Sequence, residues 1–222
     1  MKENFDLITF DCYGTLIDWE RGIVGAFEAE AARQQTRLDP DQVIATYMVE
    51  EPGVEATEYK PYRTVLDETA RRVAARLGWQ IPPDRTRFLS NSLIDWLPFP
   101  DTNPALERLA QHFQLGILSN VDDDLLEGTR KHFTVNFDFI VTAQQVRSYK
   151  PGHAHFKEAR RRAAGKRQLH AARSYFHDVV PATALGIDVV WVNRKGELAM
   201  KDGPRPNHEV RNLTELADLL GV

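Results

Sequence analysis

Short apolar runs alternate with amphipathic stretches along most of the chain. Runs of four to six mostly apolar residues are typical of buried strands. They occur at Phe5–Phe10, Leu115–Ser119, Phe137–Val141, Ser174–His177 and Ile187–Val192. Helix-favouring stretches separate or follow them at Asn103–His112, Asp122–His132, His153–Ala164, Pro181–Leu185 and Leu213–Leu220. Strands that alternate with helices form parallel βαβ units. The pattern therefore predicts an α/β fold with a doubly wound parallel sheet.

Residues 18–96 interrupt this alternation. The segment favours helix at Ile23–Ala32, Glu58–Leu77 and Asp84–Ile94, and it contains no convincing strand. We predict a helical cap domain, inserted after the first strand, that covers the carboxyl edge of the sheet. Residues 1–17 and 97–222 would then form the Rossmann-like core, and residues 18–96 the cap.

Composition and charge narrow the classes of function. The chain has 222 residues, one cysteine and a net charge of −4, so it offers no basic field for nucleic acid or for an anionic membrane. One cysteine cannot form an internal disulfide. The first residues lack the apolar run of a signal peptide, and no stretch approaches the roughly 20 apolar residues of a membrane span. We therefore expect a soluble cytoplasmic protein that acts on a small molecule.

Four polar residues follow predicted strands. In open α/β sheets, ligands bind beyond the carboxyl ends of the strands. Asp11, Ser119 and Asp178 lie at or just past such ends, and Lys150 follows shortly after another. Any one of them alone would be better explained as a turn, cap or solvated loop residue. Together they predict an active site with a carboxylate nucleophile, a hydroxyl, a cation and a second carboxylate.

The same positions carry motifs that resemble the haloacid dehalogenase superfamily. The motifs are FDCYGTL at Phe10–Leu16, LSN at Leu118–Asn120, YKP at Tyr149–Pro151 and FHD at Phe176–Asp178. Their order and spacing agree over most of the chain. The longer match FDCYGTLIDWE at Phe10–Glu20 is most similar to the type II, L-2-haloacid dehalogenase-like branch, in particular to the members that include azetidine-2-carboxylate hydrolase. The resemblance implies a hydrolase with a Rossmann-like core and an inserted cap, and it suggests a homodimer.

The resemblance also implies a role for each residue of the first and third motifs. Asp11 would attack an electrophilic carbon and form an ester, which water then hydrolyses. Lys150 would stabilise the Asp11 carboxylate as an anion. Thr15 would orient Asp11. Cys12 should point away from the face that Asp11 uses, because side chains alternate across a strand, and we interpret it as a packing residue.

The second and fourth motifs would bind substrate and water. Ser119 and Asn120 would hold the carboxylate of the substrate. Asp178, together with His177, would position or activate the hydrolytic water. His177 is equally consistent with a hydrogen-bonded histidine at the end of a strand.

Tyr13 separates two kinds of chemistry. The phosphatase branches of the superfamily place a second aspartate there, which protonates the leaving alkoxide. A phenol, with a pKa of about 10, is a poor acid for that purpose, whereas a halide or an already protonated ring amine needs no proton. We therefore favour attack at the α-carbon of a small 2-substituted carboxylic acid, with no metal and no cofactor. The alternatives are a magnesium-dependent phosphatase of a small metabolite, and a non-enzymatic binding protein on a hydrolase scaffold.

Two departures leave the identity of the leaving group open. Dehalogenases of this type carry a cap arginine that helps to bind the halide, but the corresponding region here is Tyr47–Glu51, with the sequence YMVEE. Lys60 and Arg63 lie nearby in the sequence. The tyrosine that the family places after the lysine motif is Phe156 here. Tyr13 and Trp96, with the cap tyrosines, are expected to line the substrate pocket, although aromatic residues in amphipathic helices are usually core residues.

Overall fold

The sheet has its topological switch point at the first strand. The computed structural model describes residues 4–56 and 58–222, and within them six strands form one sheet. The strands are β1 (Leu7–Phe10), β2 (Gln114–Ser119), β3 (Phe139–Thr142), β4 (Gln168–Ala172), β5 (Asp188–Val192) and β6 (His208–Val210). Their order is β3-β2-β1-β4-β5-β6, and every neighbouring pair is parallel. The chain winds outward from β1 in both directions, so the end of β1 is the position where such sheets bind ligands.

The helices have the following bounds. They are α1 (Trp19–Ala32), α2 (Pro40–Glu55), α3 (Tyr62–Arg76), α4 (Phe88–Ser92), α5 (Thr102–Ala110), α6 (Asp123–Arg130), α7 (Ala143–Val146), α8 (Ala154–Ala163), α9 (Val180–Ala184) and α10 (Leu213–Leu220). Short 3₁₀ turns cover Pro83–Arg85 and Leu93–Asp95, and a π-helical turn covers Tyr175–Val179. None of the helices in the described part of the chain has the length and apolar character needed to cross a membrane.

The chain forms two compact units. The first contains the chain up to Asp18, Pro98–Asn120 and Lys131–Val222, and it holds the sheet. The second contains Trp19–Leu97 and Val121–Arg130, and its regular structure is helical. The doubly wound α/β fold with an inserted helical segment that the sequence predicts is the fold of this chain.

Helix α6 belongs to the helical unit, although the sequence boundaries place it in the core. The reason lies at the start of α3, whose preceding residue, Pro61, has no side chain that could cap the helix. Asp122 supplies the missing acceptors, since its two carboxylate oxygens accept from the backbone N–H groups of Tyr62 and Arg63, each at 2.9 Å. A carboxylate at a helix N-terminus also interacts favourably with the helix dipole. The short segment before α6 is thereby fixed to the helical unit.

The strand predicted at Ser174–His177 is wrong. Those residues lie in or beside the π-helical turn, where the Ser174 hydroxyl accepts from the backbone N–H of His177 at 3.1 Å. The actual strand, β4, ends earlier, at Ala172. Its sequence QLHAA has a histidine at the centre and two alanines, so it lacks the apolar β-branched residues that mark a buried strand.

Besides β4, the strand β6 and the helices α2 and α7 have no counterpart in the predictions. Strand β6 is only three residues long and lies at the edge of the sheet. Helix α2 contains Pro52 and has a poorly separated apolar face. Its start does carry a sequence signal, because Asp39 precedes Pro40 and caps the helix by accepting from the backbone N–H of Asp41 at 2.9 Å.

Candidate active site

Asp11 lies immediately after β1 and is held in one orientation. Its side chain is almost fully buried, and the residue is 7% exposed. The Thr15 hydroxyl donates to Asp11 Oδ2 at 2.8 Å and accepts from the backbone N–H of Arg173, also at 2.8 Å. Because the Arg173 N–H occupies an acceptor site of the hydroxyl, the single proton of Thr15 is directed to Asp11. Gly14 allows this tight return of the loop, since its φ of 99° lies in the region that favours glycine.

Lys150 joins the two carboxylates of the site. Its ammonium group donates to Asp11 Oδ1 at 2.8 Å, to Asp178 Oδ1 at 2.7 Å and to the carbonyl oxygen of Leu118 at 3.0 Å. These contacts use all three of its donors. Burial alone would lower the pKa of Lys150, but the charges of Asp11 and Asp178 outweigh burial and raise it well above the usual range. Lys150 is therefore a fixed cation.

Asp178 lies in the π-helical turn and is fully buried. Burial acts to raise its pKa, but Lys150 and His170 overcome that effect and lower the pKa to about 2. His170, on β4, lies with Nε2 at 3.0 Å from the same Oδ1 atom that Lys150 contacts. Asp178 Oδ2 has no hydrogen-bond partner within residues 4–56 and 58–222. One oxygen of Asp178 is thus anchored, and the other retains its lone pairs.

Asn120 contacts the main chain of Lys150 on both sides of its amide. Its Oδ1 atom accepts from the backbone N–H of Lys150 at 2.7 Å, and its Nδ2 atom donates to the Lys150 carbonyl oxygen at 3.0 Å. Both groups of the amide are therefore engaged with the lysine loop. Asn120 is therefore engaged with the main chain of Lys150, whereas the sequence analysis expects it to hold the carboxylate of the substrate, which stays a prediction.

Ser119 offers a buried hydroxyl at the end of β2. The residue is 1% exposed, and in the described part of the chain its Oγ atom has no hydrogen-bond partner. The carbonyl oxygen of Ser119 accepts from His155 Nε2 at 3.1 Å. Burial, followed by the charge of Lys150, lowers the pKa of His155 to about 3, so this ring is neutral at physiological pH. Ser119 can donate its proton to a bound anion.

Cys12 is not a competing nucleophile. It is fully buried, and burial together with the neighbouring charge of Asp11 raises its thiol pKa well above the ordinary value. A thiol reacts as the thiolate, which this environment disfavours. Cys12 is therefore a packing residue, as the sequence predicts, and Asp11 is the acidic side chain at the end of β1.

Comparison with known protein families identifies the family of this chain. A family model described as a haloacid dehalogenase-like hydrolase matches residues 5–172, which include Asp11, Ser119 and Lys150. The chain belongs to the haloacid dehalogenase-like hydrolase family. It is therefore a hydrolase, and its sheet, switch point and Asp11 loop form the core of a haloacid dehalogenase-like fold.

Individual relatives agree with this assignment along nearly the whole chain. The (S)-2-haloacid dehalogenase H-109 of Pseudomonas putida is 29% identical over 221 residues, which cover 96% of each chain. The solved structure of L-2-haloacid dehalogenase from Xanthobacter autotrophicus, with chloropropionic acid covalently bound, has a TM-score of 0.85 at 18% identity and covers 98% of both chains. A putative HAD-hydrolase from Bacillus subtilis bound to magnesium has a TM-score of 0.84 at 17% identity, covering 99% of this chain and 100% of that one.

The carboxylates of this haloacid dehalogenase-like hydrolase do not fit a magnesium ion. Mg²⁺ requires several oxygen ligands in near-octahedral geometry. Asp11 Oδ1 and Asp178 Oδ1 both accept from the Lys150 ammonium, and Asp11 Oδ2 accepts from Thr15. The Lys150 ammonium already bridges the two carboxylates, and position 13 is a tyrosine, which offers no carboxylate ligand. Across the described residues, no group of three or more His, Cys, Asp or Glu side chains is arranged to hold a metal.

Three further predicted residues have the following places. Tyr13 is half-buried in the loop after Asp11 and forms a parallel bridge with Ile17. His177 is half-buried in the π-helical turn, with Nδ1 at 3.1 Å from Ser174 Oγ. Trp96 belongs to the helical unit and is 4% exposed, and its indole N–H donates to Ser92 Oγ at 3.0 Å. The burial of Trp96 is that of a packing residue, and its place in a substrate pocket stays a prediction.

Sequence reasoning missed His170 and His155. Both are fully buried, and both contact atoms of the site directly. His170 lies inside a strand that the apolar pattern does not reveal, and His155 lies on a helix that the pattern explains by packing alone. A signal for His170 does exist in the sequence. The βαβ series needs a fourth strand before the FHD motif, and His170 is a polar residue at the centre of the segment Gln168–Ala172 that supplies it.

Proposed function

We propose that the protein hydrolyses a small 2-substituted carboxylic acid at its α-carbon, through an aspartyl ester formed on Asp11. The observation that carries this proposal is the buried Asp11–Lys150–Asp178 group. It provides an ionised nucleophile, a fixed cation and a second carboxylate. Such a substrate agrees with the relatives of this chain, which are 2-haloacid dehalogenases.

The first step is displacement at carbon. A carboxylate oxygen of Asp11 forms a bond to the α-carbon of the substrate, and the bond from that carbon to the leaving group breaks with its electron pair. Thr15 and Lys150 each donate to one oxygen of Asp11, which orients the carboxylate and leaves further lone pairs for attack. The leaving group departs as a halide ion, or as a ring nitrogen that remains tethered to the product.

The second step is hydrolysis of the ester. Water attacks the carboxyl carbon of Asp11, and Asp178 Oδ2 accepts the proton that the water releases. Lys150 lies 2.8 Å from Asp11 Oδ1 and stabilises the negative charge that develops on the ester oxygen. The carbonyl then re-forms as the bond to the product oxygen breaks, and that oxygen takes the proton from Asp178, so that the 2-hydroxy acid leaves. Asp11 keeps one oxygen from the water and loses the second proton of the water. With a halide, the second proton goes to solvent; with an amine, it goes to the amine.

The carboxylate of the substrate would bind at Ser119. The unpartnered, buried Ser119 hydroxyl lies at the end of β2, beside β1. An anion that accepts its proton would supply the missing partner, and hydrogen bonds to charged groups are the stronger kind.

The region that corresponds to the family's halide-binding arginine lies in the helical unit. There, Glu51 Oε1 accepts from the hydroxyls of Tyr47 at 3.0 Å and of Tyr62 at 2.8 Å. The relatives are 2-haloacid dehalogenases, which favours a halide as the leaving group. The substrate panel below decides between a halide and a ring amine.

A substrate panel with wild-type protein, Asp11→Asn and Asp41→Asn tests the proposal. The panel contains 2-chloropropionate, azetidine-2-carboxylate and p-nitrophenyl phosphate, each with and without EDTA. Asp41 is exposed and lies on α2, so its substitution makes the same chemical change outside the site. We expect turnover of one of the first two compounds, resistant to EDTA, retained in Asp41→Asn and abolished in Asp11→Asn.

Oxygen labelling separates the covalent route from direct attack by water. In a single turnover in H₂¹⁸O, the label should enter Asp11 and not the released hydroxy acid. Label in the product after one turnover would contradict the ester intermediate. EDTA-sensitive release of phosphate would favour the phosphatase alternative instead.

A further inference from the structure

We propose that His170 is a positioning residue that holds Asp178 in place for hydrolysis of the ester, an inference that rests on the proposed function. The mechanism above uses Lys150 as the partner of both carboxylates and assigns nothing to His170. We infer from the geometry that this histidine holds Asp178 at the stage when Lys150 interacts with the Asp11 ester.

His170 is built into the sheet beside the nucleophile. It lies on β4, opposite Thr9 of β1, and is completely buried. Its Nε2 atom is 3.0 Å from Asp178 Oδ1, and Phe156 contacts its ring edge-to-face, with centroids 5.2 Å apart. Asp178 itself lies in a short π-helical turn. A histidine on a regular strand therefore fixes a carboxylate that lies in an irregular helical turn.

The hydrogen bonds show that Nε2 of His170 carries a proton. An ionised carboxylate can only accept, so the His170 Nε2 atom donates to Asp178. The other nitrogen, Nδ1, lies 3.0 Å from Thr9 Oγ1, which accepts from the Gln168 side-chain amide at 2.8 Å and donates to the Leu169 carbonyl oxygen at 3.3 Å. Thr9, itself held by Gln168 and Leu169, therefore fixes the ring at Nδ1 while the Nε2–H is aimed at the carboxylate.

The second step of the reaction shows why Asp178 needs a donor besides Lys150. In the free enzyme, the lysine ammonium is shared between Asp11 Oδ1 and Asp178 Oδ1. When water attacks the Asp11 ester, the developing negative charge on the ester oxygen competes for the same ammonium. His170 keeps its contact with Asp178 Oδ1 throughout, which leaves Oδ2 directed at the water.

The variants His170→Leu and His170→Gln test this role. Leucine removes the donor, whereas the glutamine side chain can place an N–H near the position of Nε2. The probes are 2-chloropropionate and azetidine-2-carboxylate, and intact-mass spectrometry during turnover measures the fraction of protein that carries the ester. A misplaced base slows the second step selectively, so His170→Leu should accumulate the ester while kcat falls roughly 10- to 100-fold. His170→Gln should recover part of that loss.

Asp178→Asn and His155→Leu are the matched controls. Asp178→Asn removes the base itself and should accumulate the ester. His155→Leu is the same substitution at the other buried histidine, which contacts Ser119 and not Asp178, and it should not raise the ester fraction. Circular dichroism establishes that each variant folds.

The outcomes separate the two proposals. Ester accumulation in Asp178→Asn but not in His170→Leu would overturn the role of His170 and leave the proposed function standing. Equal loss in His170→Gln and His170→Leu would also overturn it, because a donor at that position would then have no effect. If the wild-type protein processes neither probe and no variant forms an ester, the proposed function itself fails.

Discussion

The substitution Lys150→Met removes the only cation that contacts the two buried carboxylates of the described site. Methionine has a similar length and no charge, so the change deletes three hydrogen bonds with little change in volume. Two of them run to charged oxygens, at 2.8 and 2.7 Å, and the third runs to a carbonyl at 3.0 Å. Asp11 and Asp178 then lose their shared cation and keep only the hydrogen bonds from Thr15 and His170.

The expected cost at neutral pH is large. Hydrogen bonds to charged groups contribute roughly 1.5–3 kcal/mol each, so the two carboxylate contacts account for about 3–6 kcal/mol. Removing one partner of a buried ion pair costs about 3–5 kcal/mol in measured cases. We therefore expect a loss of about 3–5 kcal/mol, a large part of the ~5–15 kcal/mol that stabilises a typical domain.

The loss of stability in Lys150→Met should be smaller at acidic pH. The reason is that the carboxyl pKa is lowered in the wild-type protein and is expected to be raised in the variant. In the wild-type protein, the pKa of Asp178 is lowered to about 2, so its stabilisation is present at neutral pH and is lost only as the pH falls through that value. Without Lys150, burial and the neighbouring carboxylate raise the carboxyl pKa above its unfolded value. Such a group stabilises the fold below the unfolded pKa of about 3.9, and that contribution is lost as the pH rises.

Urea denaturation at about pH 7.5 and about pH 4.5 measures how the loss of stability in Lys150→Met depends on pH. The carboxyl group whose pKa is raised is expected to be protonated at about pH 4.5. Lys60→Met is the control, because Lys60 pairs with Glu68 at 2.9 Å with both side chains about a quarter exposed, and such pairs contribute at most about 1 kcal/mol. The double variant Asp11→Asn/Lys150→Met should regain part of the loss. A penalty that is equal at the two pH values, or no larger than that of Lys60→Met, would refute the electrostatic account.

Four further substitutions test individual contacts. Gly22→Ala would place its Cβ 2.3 Å from Trp96 Cγ, whereas Gly25→Ala, on the same helix, would meet nothing within 4 Å. Thermal melts should show Gly22→Ala destabilised by about 1–3 kcal/mol and Gly25→Ala stabilised by about 0.5–1 kcal/mol. Ser119→Ala should leave stability unchanged but lower kcat/KM roughly 10- to 100-fold, as expected for loss of a bond to a charged substrate; an unchanged value would remove Ser119 from substrate binding. Asn120→Ala should cost about 1–3 kcal/mol in urea denaturation and lower kcat, because the Lys150 loop loses both of its contacts; a lower kcat/KM at unchanged kcat would favour the substrate-binding role instead.

The sequence predicts the ends of β1 and β2 well, because they are encoded locally. Strand β1 is a mostly apolar run that ends directly before Asp11, and β2 is a mostly apolar run that ends at Ser119. The order of strands and helices then determines a doubly wound sheet, and with it the meeting point of the two ends. Residue type, periodicity and chain order are enough for these features.

The remaining features depend on pairings that are distant in the sequence. Asn120 contacts Lys150 across a separation of 30 residues, and His170 contacts Asp178 from a strand whose sequence hides it. The assignment of α6 to the helical unit depends on Asp122, which caps a helix 60 residues earlier in the chain. No local pattern distinguishes these side chains from ordinary caps or core residues, so only the assembled structure identifies their partners.

The buried polar groups of the site are linked by a series of hydrogen bonds. Asn120 fixes the main chain of Lys150, Lys150 fixes Asp11 and Asp178, and His170 holds Asp178 a second time. Buried polar atoms are nearly always satisfied, so an exception at such a site needs an explanation. Among the described residues, the side-chain oxygens of this group that lack a partner are Ser119 Oγ and Asp178 Oδ2. They are the two atoms that the proposed reaction needs, one to donate to the carboxylate of the substrate and one to accept a proton from water. In the proposed reaction, the carboxylate of the substrate gives Ser119 Oγ its partner, and the water of the second step gives Asp178 Oδ2 its partner.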